Sequence, residues 1–174
     1  MQTQLPETVN FVRQVELNRT LEGDYPLTKL TRLSEALVSE EGSVHAKLVF
    51  GTTVGYASLK GSVSATLQVE CQRCLQPQEI EVKGNFKFAL VHSEDDFDLI
   101  PTELEPYLIG SEEQSIIEII EDELLLSLPM VSVHDNACSD ILTEQEKLRR
   151  AEKEEAHPFA ALKALKDDLS NKIN

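Results

Sequence analysis

The chain has no tryptophan, and aromatic residues fill only 5% of its 174 positions. Proteins that bind by stacking bases or sugars need flat aromatic surfaces, so the composition weakens any reading as a broad stacking platform. Basic residues are also scarce: 16 Lys and Arg against 31 Asp and Glu leave a formal charge of −15. An electrostatically driven nucleic-acid binder has the reverse balance, because Lys and Arg neutralise phosphate. Three cysteines, an odd number, do not make a disulfide framework. No apolar run approaches the ~18 residues of a membrane span. The most apolar stretch, Ser115 to Met130, is broken by Glu118, Glu121, Asp122 and Glu123. Met1 to Pro6 carries neither a basic nor an apolar signal region. A reducing cytoplasm is therefore the expected compartment, with no membrane partner.

What is present is enough for a core, with 41% hydrophobic residues in a length typical of one domain. The negative charge is concentrated. Residues 1–92 are nearly balanced at −1, residues 93–155 carry −15, and 88–146 contain no Lys or Arg at all. Such a span is either a solvated acidic face or a surface for a basic partner.

The hydrophobic pattern predicts an α+β fold. From Ala57 to Cys71 every odd position is Ala, Leu, Gly, Val or Cys and every even position is polar. Period two over that length means a strand with one wet face. Ile80 to Leu90 repeats the pattern, so the two are expected to form a long antiparallel hairpin with Cys71 and Cys74 at its tip. Gly61 and Gly84 within it point to bends or bulges. Val44 to Phe50 predicts another strand, with weaker strands over 15–21 and 107–109. Helices are predicted over 7–14, 26–38 and 115–128, the last opened by a Ser115/Glu118 capping box and ended by Pro129. Residues 92–106 read as an acidic, mobile loop. The expected organisation is one α+β domain over 1–140, an antiparallel sheet around the hairpin packed by a few helices. A polar, helical tail over 141–174 ends in an amphipathic segment.

One motif carries chemistry. Cys71-Gln72-Arg73-Cys74 has zinc-knuckle spacing, and His134 with Cys138 supplies an imidazole and a thiol four residues apart. Together they form a Cys₃His set suited to tetrahedral zinc. The competing reading makes Cys71 a continuation of the buried stripe and Cys138 a small loop residue. A redox role fits less well, because a thioredoxin-type pair needs a helix N-terminus to stabilise the thiolate. Phosphate-loop, dinucleotide, zinc-protease and nucleophile-elbow signatures are all missing. No catalytic residue is assigned, and the chain is read as a binding protein rather than an enzyme.

Several segments together resemble one family. Val69-Glu70-Cys71-Gln72-Arg73-Cys74-Leu75-Gln76-Pro77, then Glu121-Asp122-Glu123-Leu124 on to Leu128-Pro129-Met130-Val131, then His134-Asp135, then His157-Pro158-Phe159-Ala160 to Leu165-Lys166 resemble the bacterial YceD family. That resemblance implies a role in synthesis, processing or stability of 23S rRNA, in the cytoplasm, without known catalytic activity. A charge of −15 sits poorly with direct phosphate binding, so the expected partner is a basic ribosomal protein or the large-subunit precursor. Glu94, Asp95, Asp96 and Asp98 are the expected acidic contacts. Phe159, Leu162 and Leu165 form an apolar stripe that either docks the partner or packs on the chain's own sheet. Two alternatives remain: a thiol or zinc-dependent enzyme using Cys71 and Cys74, and direct RNA contact through Lys60, Arg73, Lys83 and Lys87.

Overall fold

The alternating stripe becomes β4 (Tyr56–Glu70), which pairs antiparallel with β5 (Pro77–Val91) from Ser58 opposite Ala89 to Glu70 opposite Pro77. A computed structural model describes residues 5–110, 113–136, 138, 144–145 and 148–149. Around the hairpin, β2 (Thr20–Pro26) and β3 (Ser43–Thr53) extend the antiparallel sheet on one side, and β6 (Glu105–Leu108) lies parallel to β5 on the other. A second, two-stranded ribbon joins β1 (Thr8–Val9) to β7 (Gln114–Ser115). The α+β class and the long hairpin expected from the alternation are both present.

The inward stripes of Val44, Ala46, Leu48 and Phe50, of Leu59, Val63 and Leu67, and of Val82, Phe86 and Phe88 form one core. The helix α3 (Ile116–Ser127) adds Ile116, Ile119, Ile120 and Leu124 to it. Burying each such side chain contributes roughly 1.5–3 kcal/mol. The few aromatic rings are spent here: Phe86 stacks on Phe88 at 4.8 Å, Phe88 on Tyr107 at 5.0 Å, and Phe11 meets Phe50 edge-on at 5.3 Å.

Gly61 and Gly84 are not bulges. The β4–β5 register runs unbroken through both, Gly61 opposite Phe86 and Gly84 opposite Val63. A Cβ on Gly61 would lie 2.0 Å from Phe86 Cζ, and one on Gly84 would lie 2.8 Å from Ser127 Oγ. The glycines make room for an aromatic ring and for the end of α3. Gly61→Ala is therefore expected to lower stability by about 1–3 kcal/mol through overpacking. Adding Phe86→Leu should recover part of that loss. Urea unfolding of the two variants checks both statements; an unchanged Gly61→Ala midpoint would refute the steric reading.

Local expectations shift near the N-terminus. Asn10 caps a helix α1 at Phe11–Glu16, its side chain accepting from Arg13 N–H at 3.0 Å, so this helix starts later than 7. The strand expected over 15–21 appears at 20–26 instead. The helix expected over 26–38 is broken into a 3-10 turn at Leu27–Lys29 and a single helical turn α2 (Thr31–Ser34). Leu27, Leu30 and Leu33 are all buried, as their spacing requires. The break comes from elsewhere in the chain. Glu121 on α3 is buried, and its carboxylate accepts from the backbone N–H of Arg32 at 2.6 Å and of Leu33 at 3.0 Å. It also binds the Arg32 guanidinium at 2.8 Å. The carboxylate thus caps α2 across the fold, satisfying two donors left open at a helix start.

Residues 94–99 form a 3-10 turn opened by Ser93, whose hydroxyl accepts from Asp95 N–H at 3.2 Å. Tyr56 O–H fastens its far end by donating to Leu99 O at 2.9 Å. The acidic stretch is thus a structured turn rather than an open loop.

By its contacts the chain falls into two units: one of residues up to Glu70 together with Gln76–Ser132, the other of Cys71–Leu75 together with residues from Val133 onward. The tail expected from 141, with Phe159, Leu162 and Leu165, lies outside the described residues apart from 144–145 and 148–149. Among the described residues no helix is long and apolar enough to cross a membrane.

Candidate metal centre

The second unit is built on the hairpin tip. Strand pairing stops at Glu70, and the chain turns so that Leu75 N–H donates to Cys71 O at 2.8 Å. Leu75 takes a left-handed conformation at φ 60°, which disfavours a branched side chain and is held by its surroundings. That turn brings both thiols of the C-x-x-C motif to one side. Val133 to Cys138 supplies the remaining groups.

Cys71, Cys74, His134 and Cys138 do come together: their ligand atoms all lie within 4.8 Å of one another, with Cys71 buried and the other three half-buried. Cys71 Sγ is 3.7 Å from Cys138 Sγ, and Cys74 Sγ is 3.4 Å from His134 Nδ1. In a tetrahedron with zinc–sulfur bonds of about 2.3 Å and a zinc–nitrogen bond of about 2.0 Å, such edges measure roughly 3.8 and 3.5 Å. The donor spacing therefore fits zinc. It does not fit a disulfide, whose sulfurs bond at about 2.05 Å; all three cysteines are free thiols.

The electrostatics favour thiolates, the form a metal needs. Burial opposes ionisation of Cys71, but hydrogen bonds from the backbone at Cys74, Arg73 and His134 outweigh it and bring the thiol down to about 5. Burial opposes Cys138 as well, and Arg73 with His134 lowers its pKa nonetheless.

Arg73 is the residue the motif did not single out. Its Nε donates to Cys138 Sγ at 3.1 Å, and its Nη2 donates to His134 O at 2.6 Å and to Asn136 O. One guanidinium thus ties Cys71–Leu75 to the segment carrying the other two ligands. Three thiolates around a divalent ion would leave one net negative charge, which Arg73 would offset. Planar N–H geometry is what makes this possible, so Lys is a poor substitute. Arg73→Gln is expected to weaken zinc binding about 10–100-fold, the usual effect of removing an outer hydrogen-bonding partner of a metal ligand. Competition with a chromophoric chelator measures it, and affinity equal to that of the unsubstituted chain would refute the role.

The same contacts thin the alternative basic patch. Arg73 is engaged with the centre, and Lys83 pairs with Glu81 at 2.7 Å. Lys60 and Lys87 stand directly opposite each other on the wet face. The acidic residues Glu94, Asp95, Asp96 and Asp98 belong to the first unit, on its 3-10 turn, and have no ion-pair partner among the described residues.

Residues 59–166 match the family model described as large ribosomal RNA subunit accumulation protein YceD. The chain belongs to the YceD family. The match begins in β4 and takes in the hairpin, α3 and all four donor residues. A Haemophilus influenzae protein named large ribosomal RNA subunit accumulation protein YceD is 29% identical over 167 residues, covering 93% of this chain and 96% of that one. No solved structure matches the chain significantly.

Proposed function

We propose that this protein is a non-catalytic factor for accumulation of the large-subunit (23S) rRNA, built on a zinc-stapled hairpin tip. The observation that carries the reading is the match along nearly the whole chain to a relative named for that role. The donor set supports a structural metal. Four protein ligands fill a tetrahedral zinc and leave no position for water or substrate, unlike a catalytic site. Bound there, zinc would cross-link two chain segments 60 residues and more apart in sequence, and Arg73 would hold those segments in register. No helix start follows Cys71 or Cys74, which counts against redox chemistry.

The charge distribution supports a basic protein partner, either free or on the large-subunit precursor. The exposed carboxylates of Glu94, Asp95 and Asp98, with the half-buried Asp96, are free to meet it. Work of this kind belongs in the cytoplasm. In cells depleted of the protein, the ratio of 23S to 16S rRNA is expected to fall, and plasmid-borne protein should restore it. An unchanged ratio would overturn the reading.

A further inference from the structure

Three thiols meet at the hairpin tip, one more than a disulfide uses. Cys71 Sγ lies 3.7 Å from Cys138 Sγ, while Cys74 Sγ lies 3.4 Å from His134 Nδ1. The two sulfurs of the first pair differ in access: Cys71 is buried and Cys138 only half-buried. They differ in their neighbours as well. Arg73 Nε–H donates to Cys138 Sγ at 3.1 Å, and a guanidinium keeps its charge at any physiological pH. An accessible sulfur beside a fixed cation, backed by a second sulfur, is set to be oxidised first and then resolved.

The pair can also close. Bonded sulfurs stand at about 2.05 Å, so the approach needed is under about 2 Å. Val133 to Asn136 and Cys138 lie in neither helix nor strand, so that side can supply the movement. A bond between Cys71 and Cys138 would join the same two segments that a metal would join. A bond inside the C-x-x-C motif would leave Cys138 and its segment without a covalent link to the tip.

We propose that the hairpin tip is a peroxide-sensitive switch, in which hydrogen peroxide joins Cys138 to Cys71 as a disulfide and zinc is released. The release rests on the zinc reading of the proposed function; the sulfur pairing does not. The Cys138 thiolate attacks one peroxide oxygen, the O–O bond breaks, and hydroxide leaves beside the Arg73 cation. That gives a sulfenic acid at Cys138. The Cys71 thiolate then attacks the Cys138 sulfur, so that the S–S bond forms as the S–O bond breaks and a second hydroxide leaves. Each hydroxide takes a proton from solvent. Two thiolates have thus given two electrons to one peroxide, which ends as two waters. Cys74 and His134 remain as donors, and two donors do not hold zinc against the four of the reduced site. The switch is stoichiometric and needs no helix dipole, unlike a thioredoxin-type pair.

The test uses the full chain, loaded with zinc and treated with a limited excess of hydrogen peroxide. A chromophoric chelator follows the metal, and non-reducing peptide mapping after acid quenching identifies the bond before Cys74 can exchange with it. The expected result is zinc release in step with a protein about 2 Da lighter, with Cys71 linked to Cys138 and Cys74 still a free thiol. Dithiothreitol and added zinc should restore the starting form. On the metal-free, reduced chain, Cys74→Ser should close the bond within about twofold of the unsubstituted rate. Cys138→Ser should consume peroxide about tenfold more slowly or worse. A loaded chain that keeps its zinc under peroxide, a Cys71–Cys74 bond, or sulfinic acid at Cys138 without a disulfide would each overturn the switch. A chain that never takes up zinc refutes the metal reading and the release with it, while the map of its oxidised form still decides the sulfur pairing.

Discussion

Replacing Cys74 by serine is expected to strip zinc from the hairpin tip and leave the five-stranded sheet folded. Apparent zinc-binding energies of about 10–16 kcal/mol in four-ligand peptides, shared among the ligands, give about 2.5–4 kcal/mol each, or roughly 10²–10³ in affinity. The hydroxyl of serine is a poor zinc donor at neutral pH, because it stays protonated. Chelator competition should show that drop. Protease cleavage within 71–75 or 133–138 should become faster, because a metal would no longer join these segments. The sheet has its own core of Leu48, Phe50, Leu59, Leu67 and Phe86 and should keep its far-UV signal. A Cys74→Ser protein that holds zinc as tightly as the unsubstituted chain would remove Cys74 from the ligand set.

Glu121→Ala is expected to be strongly destabilising, at about 2–4 kcal/mol, because two backbone donors are left without their acceptor. Three effects combine. The backbone donors of Arg32 and Leu33 lose their acceptor, the Arg32 guanidinium loses the buried one of its two carboxylate partners, and α2 loses its cap. Asp122 still holds Arg32 at 2.7 Å, but it is exposed and contributes little. Glu121→Gln keeps an acceptor for the two N–H groups and should fall between the two. Denaturant unfolding of both variants decides it. A loss under about 1 kcal/mol for the alanine variant would mean that water satisfies those donors instead.

The parts legible in the sequence are those set by local pattern. Period two over 57–71 and 80–90 wrote the hairpin directly, because a one-residue slip would expose every core side chain. The Ser115/Glu118 pair placed the start of α3, and Ser115 does accept from Glu118 N–H at 3.3 Å. The C-x-x-C spacing and the His134/Cys138 pair were enough to name the four residues that the fold brings together. The parts that could not be read depend on groups far apart in sequence. The apolar spacing of Leu27, Leu30 and Leu33 was sound, but the carboxylate that caps the start of a new helical turn at Thr31 comes from 89 positions after Arg32. In the sequence Glu121 merely interrupts an apolar run. Arg73 is a lone cation until the backbone of His134 and Asn136 is beside it. The parallel pairing of β6 with β5 leaves no mark on four residues, and Gly61 has its reason only once Phe86 lies across the strand.

The measurement that bears most directly on the account is sedimentation of the tagged protein, at its native level, from gently lysed cells on sucrose gradients of low and high salt. An acidic factor held to a basic partner on the large-subunit precursor should travel with that precursor at low salt. It should return to the top of the gradient as salt rises, since screening shortens the reach of exposed charges to less than about 10 Å. A protein that stays at the top of the gradient at every salt concentration would contradict action on the particle.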